Sequence, residues 1–192
     1  MCKIMPDIAR NILYNPDFRF ELRPLDSSCV SGLYEAAIES KAHVAPWLPW
    51  LHANYCKQDT ENWAAIVVDA WNNATKFEFV IYDREDGAVA GCCGLNNIVQ
   101  EHAMCNLGYW VRASKLRQGA ATQAIALIKA FAFDQLEMKR LEIVVVEENC
   151  ASRGVAEKSG AIYEGLLHNR LIVDGKSRNA RMYALIPSSS EP

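Results

Sequence analysis

The stretch "KLRQGAATQAI", Lys115 to Ile125, is the clearest ligand signal in the chain, and the ligand it suggests is an anion. A loop carrying Gly119 enters a helical pattern through the small residues Ala120 and Ala121. At such a junction the first N–H groups of the helix lack intrahelical partners, and the helix dipole favours negative charge. Gly119 and the alanines let a phosphate approach the backbone closely. Lys115 and Arg117 add positive charge. An ordinary strand-to-helix turn with small residues for packing accounts for the same letters, so these residues alone leave both readings open.

Other reactive side chains are more scattered. "HVAPWLPWLHANYC" places His43, Trp47, Trp50, His52 and Tyr55 in a short segment stiffened by Pro46 and Pro49. These aromatics wall a slot, or pack as a lid on a sheet or at a subunit contact. Cys105 has no His spaced to pair with it and reads as a strand or core cysteine. The seven cysteines show no CxxC pair and no His-containing metal spacing, so no metal is expected and reduced cytosolic thiols fit best.

The elements that must position these groups follow from periodicity and turn signals. "FRFELRPL" (Phe18 to Leu25) alternates as a strand, and Asp26-Ser27-Ser28 caps a helix over Val30 to Lys41. A second helix runs from Thr60, capped by Asp59 or Thr60 itself, to about Asn72. "KFEFVIYD" and "AVAGCCGLNNIV" are strands around a turn at Arg84 to Gly87, and "MCNLGYWVR" (Met104 to Arg112) is the next. Thr122 to Leu136 is a helix, "RLEIVVVEE" (Arg140 to Glu148) a strand, and Ala151 to Ser159 a helix ended by Gly160. Two more strands flank Asp174-Gly175. The result is a mixed α/β domain with one sheet.

The 192 residues are read as one domain, 1–192, with 1–15 as an N-terminal extension and 187–192 as a tail, both flexible. A composition with 51% hydrophobic and 22% charged residues is globular. The net charge of −3 gives no electrostatic case for nucleic acid, while it is compatible with an amine-bearing substrate. No segment is apolar for long enough to span a bilayer and no signal peptide is read at the N-terminus, so a cytoplasmic location is expected.

Three ordered motifs, "LGYWVRASKLRQGAATQAI", "VEENCASRGVAEKSGAIYEG" and "DGKSRNARMYAL", with "LRPLD" and "APWLPWL" near the N-terminus, carry a resemblance. Together they resemble the GNAT superfamily of acetyl-CoA-dependent N-acetyltransferases, in its RimJ/RimL-type branch of ribosomal-protein N-acetyltransferases. The resemblance covers about residues 18 to 186. It implies a single-domain GNAT fold: a mixed, mostly antiparallel sheet with a splayed central strand pair and helices on both faces.

It also implies acetyl-CoA as co-substrate. The pyrophosphate would lie on Arg117, Gln118, Gly119, Ala120, Ala121 and Thr122. Backbone groups of Tyr109, Trp110 and Val111 would pair with the pantetheine amides, and an N–H there would polarise the thioester carbonyl. Asn149 would hydrogen-bond the cofactor or order its turn. Ser152 would give a proton to the departing sulfur, although a capping role at the helix start also fits it. His43, Trp47, Trp50 and Asn106 fall on the substrate side.

The sequence departs from the family pattern at several places. Leu116 stands where a basic or amide residue is usual, and Arg117 where Gly is frequent. Ala156 replaces a common Tyr acid, and Asn106 replaces a common Glu base. Glu101 and His102 are the nearby base candidates, and proton loss through a water chain is the other route. Arg178 and Asn179 stand where the branch often has His and Asp. The implied reaction is direct attack of a primary amine in a ternary complex, most readily the N-terminal α-amine of a protein such as a ribosomal protein. A small-molecule amine as acceptor, or a CoA-binding module without efficient catalysis, are the alternatives. The sequence leaves the oligomer open, with homodimers frequent in the family.

Overall fold

The computed structural model describes residues 8–187; the tail from 188 and residues 1–7 of the extension lie outside the described residues. Seven strands form one sheet: β1 (Phe20–Pro24), β2 (Phe77–Asp83), β3 (Val89–Val99), β4 (Met104–Val111), β5 (Arg140–Val146), β6 (Ile162–Val173) and β7 (Lys176–Leu185), in the order β1-β2-β3-β4-β5-β7-β6. Among the described residues five α-helices accompany them: α1 (Val30–Glu39), α2 (Lys41–Val44), α3 (Lys57–Asn72), α4 (Ala120–Ala130) and α5 (Cys150–Lys158). Every strand pair is antiparallel except β4 with β5.

Strand alternation assigns the faces. On β2, Phe77, Phe79 and Ile81 point one way and Glu78, Val80 and Tyr82 the other. Ile125 and Ile128 of α4, with Phe131 after it, pack with Phe77 and Phe79. Leu33 of α1 and Ala64 and Val67 of α3 pack with Val80 and Cys92. Helices therefore cover both faces. The edge of β1 is not left bare: Leu13 and Leu22 exchange two backbone hydrogen bonds of 2.8 Å. Trp71 Nε1 donates to the Ile8 carbonyl at 3.3 Å. Residues 8–15, expected as part of a flexible extension, are thus tied to the domain.

Two helix boundaries differ from expectation for local reasons. α3 begins at Lys57 because Cys56 is its cap, and Asp59 accepts the Cys56 N–H at 2.8 Å from the third helical position. The helix expected over Thr122 to Leu136 begins at Ala120 and stops being α at Ala130. A wider π turn over Phe131–Gln135 follows, closed by the Leu136 N–H on the Phe131 carbonyl at 3.2 Å.

Candidate active site

β4 and β5 pair only at Met104↔Arg140, Cys105↔Leu141 and Asn106↔Glu142. Beyond that point the rest of β4 stays bonded to β3, and the rest of β5 to β7. The facing edges of Leu107–Val111 and Ile143–Val146 therefore have no strand between them. Unpaired backbone edges of this kind call for another extended, amide-bearing chain. A cavity of about 960 Å³ occupies the splay, lined by both edges.

The glycine loop lies at one end. Arg117 and Gly119 both adopt left-handed backbone, at φ 61° and 88°. That conformation comes at little cost only for the glycine. No side chain caps α4, so the N–H groups of Ala120, Ala121 and Thr122 have no intrahelical or capping partner. Ala121 and Leu116 line the cavity. Gln118 Nε2 instead donates to the Ser114 carbonyl at 2.8 Å, and Thr122 Oγ1 to that of Gly119 at 3.0 Å. Arg117 is exposed.

Lys115 corrects the sequence reading. Its ammonium is not available to an anion: it is buried and held by Asp83 at 2.6 Å and Asp86 at 2.5 Å. Arg19 holds Asp83 from the other side at 2.6 Å. The start of the loop is thereby fastened to the β2–β3 hairpin.

α5 is capped differently. Asn149 Oδ1 accepts the Ser152 N–H at 3.1 Å, so Asn149 orders the turn. That frees the Ser152 hydroxyl from capping. Ser152 Oγ lies 3.0 Å from Tyr109 Oη, which is also 3.0 Å from the Ser152 carbonyl. Burial pushes the Tyr109 phenol up to about 12, against the opposing pull of its hydrogen bond with Ser152. A phenol and a hydroxyl thus meet on the cavity wall, each neutral at ordinary pH and able to give a proton. The sequence did not couple these two residues. Ala156, at the place of the frequent tyrosine, is fully buried.

The opposite face of the splay is aromatic. Trp50 lies 5.8 Å from Trp110 and 5.5 Å from Tyr55, ring centre to ring centre. His43 Nε2 contacts the Val111 carbonyl at 3.0 Å, which joins α2 to the end of β4. Trp47 lines the same cavity. Asn106 Nδ2 donates to Asn96 Oδ1 at 3.1 Å. Glu101 and His102 stand exposed in the turn before β4 and do not line the cavity. Cys105 is buried and its thiol is pushed up to about 12 by burial, as suits a core residue. Among the described residues, no three His, Cys, Asp or Glu side chains are grouped as a metal ion would need.

Comparison with known proteins decides the family. Residues 19–162 match the family model described as "Acetyltransferase (GNAT) domain". This chain belongs to the GNAT acetyltransferase family. Its resemblance to the RimJ/RimL branch has named counterparts. It is 31% identical over 101 residues to "Putative ribosomal N-acetyltransferase YdaF" of Bacillus subtilis (strain 168), which covers 53% of this chain and 55% of that protein. The match thus spans about half the length of that relative. It is 26% identical over 170 residues to "Ribosomal-protein-serine acetyltransferase" of Escherichia coli (strain K12), covering 88% and 93%. The fold is shared with RimL, a ribosomal L7/L12 α-N-protein acetyltransferase solved in complex with coenzyme A, at a TM-score of 0.83, 24% identity, and 92% and 98% coverage. The splayed strands, the uncapped helix and the aromatic wall all lie within the residues matched to the GNAT domain.

Proposed function

We propose that this protein is an acetyl-CoA-dependent N-acetyltransferase that acts on a primary amine, with the N-terminal α-amine of a protein as the leading acceptor class. The observation that carries the reading is the juxtaposition of two unpaired strand edges with an uncapped helix start on one cavity. The residues fit the cofactor. The β4 and β5 edges offer backbone partners to the amides of a pantetheine chain. The N–H groups of Gly119 to Thr122 offer donors to a pyrophosphate. Arg117, exposed beside them, adds charge without being required for the backbone contacts.

Acetyl-CoA would supply an activated acyl group. The protein's part is to orient that group and to manage protons. An N–H of the β4 segment Tyr109–Val111 would stabilise negative charge growing on the carbonyl oxygen. The Tyr109–Ser152 pair would hold the proton needed by the leaving sulfur, with Ser152 as the nearer donor and Tyr109 behind it. His43, Trp47, Trp50 and Asn106 would border the acceptor. The names of the relatives favour a ribosomal protein as acceptor, and that of the RimL structure, an α-N-protein acetyltransferase, favours its N-terminus.

Ser152→Ala should lower kcat by about 100-fold, the scale of a lost general acid, with CoA affinity unchanged. Calorimetry and steady-state kinetics check the two halves, and an unchanged kcat would remove Ser152 from the role. An acetylation screen by mass spectrometry, using N-terminal peptides beside small amines, tests the function itself. Acetylated peptides are expected. Tight CoA binding with no acetylated product would instead favour a binding module.

A further inference from the structure

Glu78 is a buried carboxylate inside the cavity that neither the family pattern nor the sequence reading assigns. It points to the face that carries Trp110, away from the face of Tyr109 and Ser152. Sheet register sets it in a row with two glycines: Glu78 pairs with Gly94, and Gly94 with Gly108. Neighbouring strands lie about 4.8 Å apart, so the row runs straight from β2 to the open edge of β4. Neither glycine is needed for its backbone angle, since both have negative φ. What Gly94 supplies is room: a Cβ there would fall 2.1 Å from Glu78 Oε2. The carboxylate occupies the space above Gly94, and Gly108 leaves the next step of the row clear. It therefore sits on the order of 5 Å from the β4 edge, one strand spacing.

We propose that Glu78 is the acceptor-side catalytic residue, receiving the substrate ammonium over Gly94 and Gly108 and taking its proton before attack. This deepens the proposed function and rests on it. Glu78 Oε1 pairs with Lys76 Nζ at 3.0 Å, which holds negative charge on the carboxylate, while Oε2 has only the weak Cys92 thiol at 3.6 Å. One oxygen is thus left for an incoming cation. Burial pushes the Glu78 carboxyl up, against the opposing pull of Lys76, the direction that strengthens it as a base. The thiols of Cys92 and Cys93 face it from β3 and stay protonated, their own values pushed well up by burial. From the helical side, Trp63 of α3 lies under Lys76 at 5.6 Å. Asp59 of α3, His43 of α2, His52, Tyr55 and Arg170 of β6 are further titratable groups lining the cavity.

The chemistry balances. An N–H bond of the ammonium breaks and its proton passes to a Glu78 oxygen, leaving a neutral amine. The amine nitrogen forms the C–N bond as the thioester C–S bond breaks. After attack the nitrogen loses its second proton to solvent, and Ser152 gives the departing thiolate a proton that it regains from solvent by way of Tyr109, so each turnover releases one proton in all. Glu78 then returns its proton to solvent at the partly exposed Lys76.

The test uses the full chain, acetyl-CoA and whichever amine the acetylation screen identifies. Glu78→Gln should lower kcat by about 100-fold or more. The acidic limb of the kcat/KM profile should disappear with it, while CoA affinity by calorimetry stays within about twofold. Glu78→Asp, a shorter carboxylate, should recover part of the rate. Lys76→Met should move the acidic limb to higher pH, because the cation that holds Glu78 ionised is gone. An unchanged kcat in Glu78→Gln, an acidic limb that stays in place in Lys76→Met, or a loss of CoA binding equal to the loss of rate would each overturn the role of Glu78 and leave the acetyltransferase reading intact. A wild-type protein that binds no CoA and acetylates nothing would overturn both.

Discussion

Ala121→Asp is expected to weaken CoA binding by about 100-fold or more, a loss of about 2.7 kcal/mol, while the protein stays folded. Ala121 is the second residue of α4 and lines the cavity. The helix start around it has no side-chain cap. A carboxylate placed there would take the backbone donors for itself and repel a pyrophosphate. For the helix alone the same change is favourable, because acidic groups in the first turn gain about 0.3–1 kcal/mol from the dipole. The two effects have opposite signs, which makes the variant informative. Calorimetry should show the affinity lost and a thermal melt should show the fold kept. Undiminished CoA affinity would mean that the anion sits elsewhere.

Asp83→Ala is expected to cost about 3 kcal/mol of stability, at the lower end for breaking a buried ion pair, because Arg19 is partly exposed and screened. The Asp83 side chain is 0% exposed and takes hydrogen bonds from Arg19 at 2.9 and 2.6 Å and from Lys115 at 2.6 Å. Without it, buried Lys115 keeps only the exposed Asp86. Arg19, first, and Lys115 hold the Asp83 carboxyl well below the usual carboxylate range. A lowered folded value means that the stabilisation is present above the unfolded carboxylate value of about 3.9 and is lost as pH falls from there towards the folded one. Urea unfolding at pH 7 should therefore show the full difference between wild type and Asp83→Ala, and the difference should shrink below pH 4. CoA affinity should fall as well, since Lys115 fastens the start of the loop that leads to Gly119. A difference independent of pH would show that the carboxylate's charge is not what stabilises the hairpin.

Much of the sheet was legible because the strands alternate cleanly and their turns carry glycine and asparagine or aspartate, as at Asp174-Gly175. The uncapped helix start was legible as a loop of small residues, but the charge beside it was misread. Lys115 looks like a ligand in one dimension and is a buried clamp in three, because Asp83 and Asp86 lie some thirty residues away on another hairpin. The same distance in sequence hid the Tyr109–Ser152 contact, which joins β4 to α5 across 43 residues. Glu78 was hidden for a subtler reason. "KFEF" reads as a strand with one polar face, and a glutamate on such a face is expected in water. Only the register that brings Gly94 and Gly108 into line with it shows that this face is covered and the carboxylate enclosed. The signal available in one dimension was the pair of glycines inside two strands, where a missing side chain makes room for a neighbour.

In the proposed complex a CoA chain lies along the unpaired edges of β4 and β5 with its pyrophosphate on α4. Amide hydrogen exchange of the full-length protein, with and without saturating acetyl-CoA, measures this directly. Slowed exchange is expected in two stretches, at Tyr109 and Val111 on β4, whose N–H groups alternate away from β3, and at Gly119 to Thr122 at the start of α4, because these N–H groups would gain partners only when the cofactor is bound. Exchange in both stretches that is unchanged by acetyl-CoA at saturating concentration would contradict it.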